Sequence, residues 1–143
     1  MTKNTLDRFS ESVEDYLESI LVLSEQLETV RSVDVASYLG YSKPSVSHAV
    51  KLLHEDGLVE VGPGKKLSLT EKGRSIAEET YSRHTFFTEM LESLGVRRDV
   101  AEQDACRIEH ILSSESFEAL QKLYVTWKAQ NGAPEDDTQE VSS

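Results

Sequence analysis

The stretch Ser32–Gly57, SVDVASYLGYSKPSVSHAVKLLHEDG, decides the fold. Val33, Val35, Ala36 and Leu39 recur at helical spacing, and Gly40 follows where a helix C-cap belongs, so a short helix is predicted over Ser32–Leu39. Gly40-Tyr41-Ser42 then forms a tight turn. Ser42 is a good N-cap, and Pro44 falls in the first turn of the next helix, where a missing N–H costs nothing. That helix runs through Val46, Ala49, Val50, Leu52 and Leu53 to Gly57. Two helices joined in this way are a helix-turn-helix, the second being the recognition helix.

Working outward, Leu58-Val59-Glu60-Val61 and Lys66-Leu67-Ser68-Leu69 alternate in polarity around Gly62-Pro63-Gly64-Lys65, which predicts a β-hairpin, the wing. Upstream, Val13, Leu17, Ile20 and Leu21 define an amphipathic helix over Ser10–Leu27, with Ser10 or Ser12 as its cap. Downstream, Thr70 with Glu71 opens a long helix that stops at Gly95. A fifth helix covers about Asp99–Leu112 and a sixth begins near Ser114 or Ser116. The expected fold is mainly α: an N-terminal winged helix-turn-helix over residues 1–72, then a helical dimerisation and metal-binding domain over 73–130. The tail from 131 to 143, acidic and without basic residues, reads as disordered.

The net charge of −11 argues at first sight against nucleic acid, but its distribution matters more. Between Glu28 and Ser75 seven Lys/Arg meet six Asp/Glu, a net +1 that leaves −12 on the rest of the chain. Lys43–His54 contains no acidic residue. The N-terminal half of the recognition helix offers Ser42, Lys43, Pro44, Ser45, Ser47, His48 and Lys51 to base edges and phosphates, and Lys65 and Lys66 stand at the wing tip. A lone cysteine, no signal-like apolar segment and no membrane-length apolar run lead to the expectation of a cytoplasmic, non-membrane protein.

The second chemical signal is Cys106-Arg107-Ile108-Glu109-His110. On a helix, Cys106, Glu109 and His110 at i, i+3 and i+4 leave one face, and a thiolate, a carboxylate and an imidazole make most of a transition-metal site. Asp15 and Glu18 repeat the i, i+3 offset, and His84 sits in the long fourth helix. Taken alone, an isolated helical cysteine is usually a small buried hydrophobe. An enzyme is disfavoured, because Cys106 and His110 lack an oxyanion hole and no Gly-rich phosphate loop is present.

Glu14-Asp15-Tyr16-Leu17-Glu18, Lys43-Pro44-Ser45-Val46-Ser47, Leu69-Thr70-Glu71-Lys72-Gly73 and Ala105–His110, in this order, resemble the diphtheria toxin repressor family of metal-dependent repressors. In length and in having Asp15 and Glu18 the chain is more similar to the manganese transport regulator branch, a short form without the SH3-like domain. The resemblance implies one metal held by Asp15, Glu109 and His110 and a second by Glu18 and His84, with a carboxylate bridging them. Here the bridging position is Cys106, as in the iron-responsive branch, and a thiolate prefers metals softer than Mn(II). Glu102 falls at an ancillary-ligand position of that branch, whereas Thr88 stands where the branch has an acidic ligand. The expected cofactor is Mn(II) or Fe(II), one or two per subunit, acting as corepressor on double-stranded operator DNA. Phe86, Phe87, Met90, Leu91, Phe117, Leu120, Tyr124 and Trp127 would supply a homodimer interface as well as core. The competing expectation is a winged-helix regulator controlled by a small organic ligand or by cysteine oxidation.

Overall fold

A computed structural model describes the backbone of residues 2–131 and the side chains of residues 11–131, so the tail read as disordered lies outside the described residues beyond Asn131. Six α-helices and one hairpin run in the order α1 (Thr2–Gln26), α2 (Ser32–Leu39), α3 (Lys43–Glu55), β1 (Val59–Val61), β2 (Leu67–Leu69), α4 (Glu71–Ser93), α5 (Arg98–Ile108) and α6 (Ser114–Asn131). They form two compact units that divide between Ser82 and Arg83, inside α4. The sequence places the domain boundary earlier, at 72/73.

In the first unit α1, α2, α3 and the hairpin enclose a core of Leu17, Ile20, Val35, Val46 and Val59, all essentially solvent-free. Each such side chain contributes roughly 1.5–3 kcal/mol on leaving water. Helix α1 starts earlier than the sequence suggests. Nothing from Thr2 to Ser10 is Gly or Pro, so the helix continues back through Ser10 and Ser12, which are interior positions rather than caps. Gly40 ends α2 in the left-handed region (φ 76°), donating its N–H to Ala36 O. Ser42 caps α3 by accepting from Ser45 N, with Pro44 in the first turn.

The strands pair antiparallel, Val59 with Leu69 and Val61 with Leu67, around a single 3-10 turn at Pro63–Lys65. A third backbone segment joins the wing, since Leu67 N donates to Val30 O at 2.7 Å. Sequence reading had no signal for this bridge, because one residue carries no periodicity.

Thr70 and Gly73 fasten α4 to the hairpin. Thr70 Oγ1 donates to Gly57 O (2.7 Å) and accepts from Gly73 N (3.0 Å), capping the helix. Gly73 lies against the backbone of Leu58, so a β-carbon there would run into the Leu58 carbonyl oxygen. Overpacking against backbone is not relieved by a rotamer change. Gly73→Ala is therefore expected to cost about 1–3 kcal/mol or more of stability, read as a lower denaturant midpoint at unchanged slope.

In the second unit Phe87, Ala105 and Phe117 form the core, with Phe86, Met90, Ile108, Leu112 and Leu120 packed on it. Phe86 meets Phe87, Phe117 and Tyr124 edge to face, with centroids 5.0, 5.3 and 5.5 Å away. Of the aromatic and aliphatic residues expected to divide between core and interface, Phe87, Phe117 and Tyr124 are buried. Leu123 and Val125 on α6 are about two-thirds exposed (65% and 66%). Among the described residues no helix is long and apolar enough to cross a membrane.

Candidate metal centre and nucleic-acid interface

The second unit assembles four of the expected ligands from two elements. His84 is on α4; Cys106 is on the last turn of α5; Glu109 and His110 follow directly. His84 Nδ1 lies 3.1 Å from Glu109 Oε1 and 3.7 Å from Cys106 Sγ. His110 Nε2 lies 3.3 Å from the other carboxylate oxygen, Glu109 Oε2. Glu109 is thus a carboxylate between two imidazoles, 1% exposed. The Cys106 and Glu109 side chains, both bonded to the His84 ring, push its pKa up to about 10, against the opposing effect of burial.

The local backbone departs from the expected helix. α5 ends at Ile108, not Leu112, because the chain tightens: His110 N approaches Arg107 O at 3.5 Å and Ile111 N bonds Ile108 O at 3.0 Å. Glu109 keeps helical angles (φ −60°, ψ −20°) as the C-cap, so its side chain still follows the α5 face, whereas His110 belongs to a turn. Cys106 is exposed while Glu109 is buried.

Whether this set suits a divalent metal is decided by Glu109. Its Oε2 is buried and accepts no hydrogen bond, because the neighbouring His110 nitrogen is close but poorly aligned. A buried carboxylate oxygen without a donor carries a desolvation cost that a cation would remove. Two imidazoles, a carboxylate and a thiol also match the donor preferences of late first-row divalent ions. The residues fit a metal.

Asp15 and Glu18 lie one turn apart on α1 in the first unit, both half-buried. Glu102 is on α5 but its carboxylate accepts from Arg98 Nε at 3.1 Å, a solvated i, i+4 pair. Thr88 is buried, 5% exposed, and offers no charge.

On the first unit Ser42, the N-cap, and Lys43, Pro44, Ser45, Ser47, His48 and Lys51 of α3 are all exposed, and Lys65 and Lys66 are exposed at the wing tip. Sequence reading missed Arg31. Its Nε donates to Gly64 O (2.9 Å) and its Nη1 to Thr29 Oγ1 (3.2 Å), holding the wing tip where Gly64 and Lys65 adopt positive φ (71° and 61°). The two partners are 33 residues apart in the chain, a separation no local motif encodes.

Comparison with known proteins identifies the family. Residues 8–67 match the Iron dependent repressor, N-terminal DNA binding domain, and residues 70–129 match the Iron dependent repressor, metal binding and dimerisation domain. The Transcriptional regulator MntR of Escherichia coli O157:H7 is 36% identical over 110 residues, covering 77% of this chain and 71% of the relative. The Iron-dependent repressor IdeR of Mycobacterium tuberculosis (strain ATCC 25618 / H37Rv) is 31% identical over 119 residues, covering 82% of this chain and 52% of the relative. Among solved structures, the manganese regulator SloR superposes with a TM-score of 0.69 at 31% identity, over 78% of this chain and 53% of that one. A manganese-dependent transcriptional repressor complex with manganese gives 0.67 at 29%, over 85% and 53%. The chain spans about half the length of these two solved structures. It belongs to the iron-dependent repressor family of DNA-binding transcriptional regulators, which are not enzymes, and carries both the DNA-binding domain and the metal-binding and dimerisation domain.

Proposed function

We propose that this chain is a metal-activated transcriptional repressor of metal-ion uptake genes, working in the cytoplasm as a homodimer on a palindromic operator, with Mn(II) or Fe(II) as corepressor. The observation that carries the reading is the buried Glu109 carboxylate, set between His84 and His110, with an oxygen that accepts no hydrogen bond. The domain assignment, 1–72 for DNA and 73–130 for metal and dimer, goes with it.

The proposed ligands are His84, Cys106, Glu109 and His110, joined by Asp15 and Glu18 from α1, whose i, i+3 spacing puts two carboxylates on one helical face. Glu102 keeps its arginine partner and stays outside the set. A divalent cation supplies two positive charges and acceptor positions for their lone pairs. Without it Asp15, Glu18 and Glu109 repel one another. With their charges neutralised, these residues tie α1 to the dimerising helices and fix the spacing of the two recognition helices on DNA. Metal then favours the DNA-competent state, and by linkage DNA raises metal affinity by the same factor. Cys106 sulfur pulls the preference toward Fe(II), the carboxylates toward Mn(II). Val125, exposed beside Phe86 and Tyr124, contributes to an apolar groove suited to a second copy.

Cys106→Ala and His110→Ala should each abolish metal-dependent operator binding while far-UV circular dichroism and cooperative unfolding persist. Binding to operator DNA at undiminished affinity in chelator would overturn the proposal. Neutralising Lys65 or Lys66 should weaken binding to every DNA sequence and flatten the salt dependence by about one unit per charge removed. In metal-free protein the His84 ring should titrate near pH 10, well above the ordinary 6.5. Because folding raises this pKa, the stabilisation is full below pH 6.5 and is lost as the pH climbs through about 10. Ring-proton resonances followed against pH check this, and Glu109→Gln should lower the midpoint.

A further inference from the structure

Glu109 and His110 sit at the end of α5, where Glu109 N still bonds Ala105 O at 3.0 Å but His110 N only approaches Arg107 O at 3.5 Å. The carbonyls of a helix's last turn need donors from elsewhere. Here the donor is Arg83, the residue before His84 on α4. Its guanidinium Nη1 donates to Glu109 O at 3.1 Å and to Leu112 O at 2.6 Å. The guanidinium carbon lies 5.1 Å from the centroid of the Phe117 ring. The side chain is buried, only 8% exposed.

A buried cation next to a metal centre needs a reason, since its charge disfavours a second cation nearby. Its Nη1 hydrogen bonds go to two carbonyls at the carboxyl end of α5, where the helix dipole is negative and a cation is stabilised. One carbonyl belongs to a ligand residue, and the two bonds span the segment that begins with Glu109 and His110. The backbone of Arg83 is contiguous with the third ligand residue, His84. Arg83 thus links, through a single rigid group, the helix that presents His84 and the turn that presents Glu109 and His110.

Resting on the metal-activated reading above, we propose that Arg83 is a positioning residue for the metal centre. It touches no metal; it sets the register between His84 and the Glu109-His110 turn. A lysine cannot replace it. An ammonium on a flexible stem keeps the charge, but has no planar face to lie against the Phe117 ring and so to fix the one nitrogen that donates to both carbonyls.

The test is anaerobic Co(II) titration of the full chain, reading affinity and the visible ligand-field spectrum, for wild type, Arg83→Lys and Arg83→Gln. Thermal unfolding of each metal-free protein is recorded alongside. Residues that orient metal ligands typically change metal affinity about ten- to a hundredfold when replaced. Arg83→Lys is expected to fold cooperatively, to lose Co(II) affinity in that range and to show a shifted spectrum. The same loss in a folded Arg83→Gln would support the proposal further. Wild-type affinity and spectrum in Arg83→Lys overturn it. So does a failure of Arg83→Lys to fold without metal, which makes Arg83 a residue of the fold rather than of the site. A wild-type chain that binds no Co(II) would instead sink the metal reading itself.

Discussion

A carboxylate withdrawn from water must be compensated, and Glu109 is the charge around which the second unit is organised. At 1% exposure it stands among the largest fully buried side chains of the protein, beside Phe87 and Leu17. Its two oxygens face two histidines, and one oxygen still lacks a hydrogen bond. A hydrophobic side chain of similar size would pack there at lower cost. The His84 ring, its pKa pushed up to about 10 by Cys106 and Glu109, favours the charged form that would partly compensate Glu109. In the proposed metal-bound state the same groups would be ligands, and metal capture would then be coupled to proton release.

The backbone follows from that need. A helix continued to Leu112 would keep Glu109 and His110 on a regular ladder. Instead α5 stops at Ile108, and the freed carbonyls of Glu109 and Leu112 are taken by Arg83. The ligand-bearing turn is therefore anchored by a group on α4, and Phe117 of α6 backs that group. Three helices share one small set of contacts. The first unit shows the same economy at its hairpin, where Thr70 caps α4 and binds Gly57 O while Gly73 allows close approach to Leu58. In both units, irregular backbone is held by a few long-range polar bonds, and the regular helices are held by burial.

Much of this was written locally in the chain. Ser32–Leu39 and the Ser42-capped α3 were legible because periodicity and cap residues are short-range signals. So was the hairpin, and so was the start of α4 at Thr70-Glu71. The exposed serines and lysines of α3 and the wing were legible for the same reason, since a solvated helix face shows in its polarity. The donor types of the Cys106 block could be read as metal chemistry from composition alone.

Other features only the folded chain decides. The turn after Ile108 is anchored by Arg83 reaching 26 residues along the sequence to Glu109 O, and the wing tip by Arg31 reaching 33 to Gly64 O. The diversion of Glu102 to Arg98 is a choice between competing partners, not a property of glutamate. Burial of Glu109 beside exposed Cys106 likewise reflects what packs around each. Sequence determined which residues could form helices, caps and ligands, because those preferences act over one or two turns. Tertiary structure decided which of them meet, because a bond across twenty or thirty residues is closed by packing and leaves no local trace.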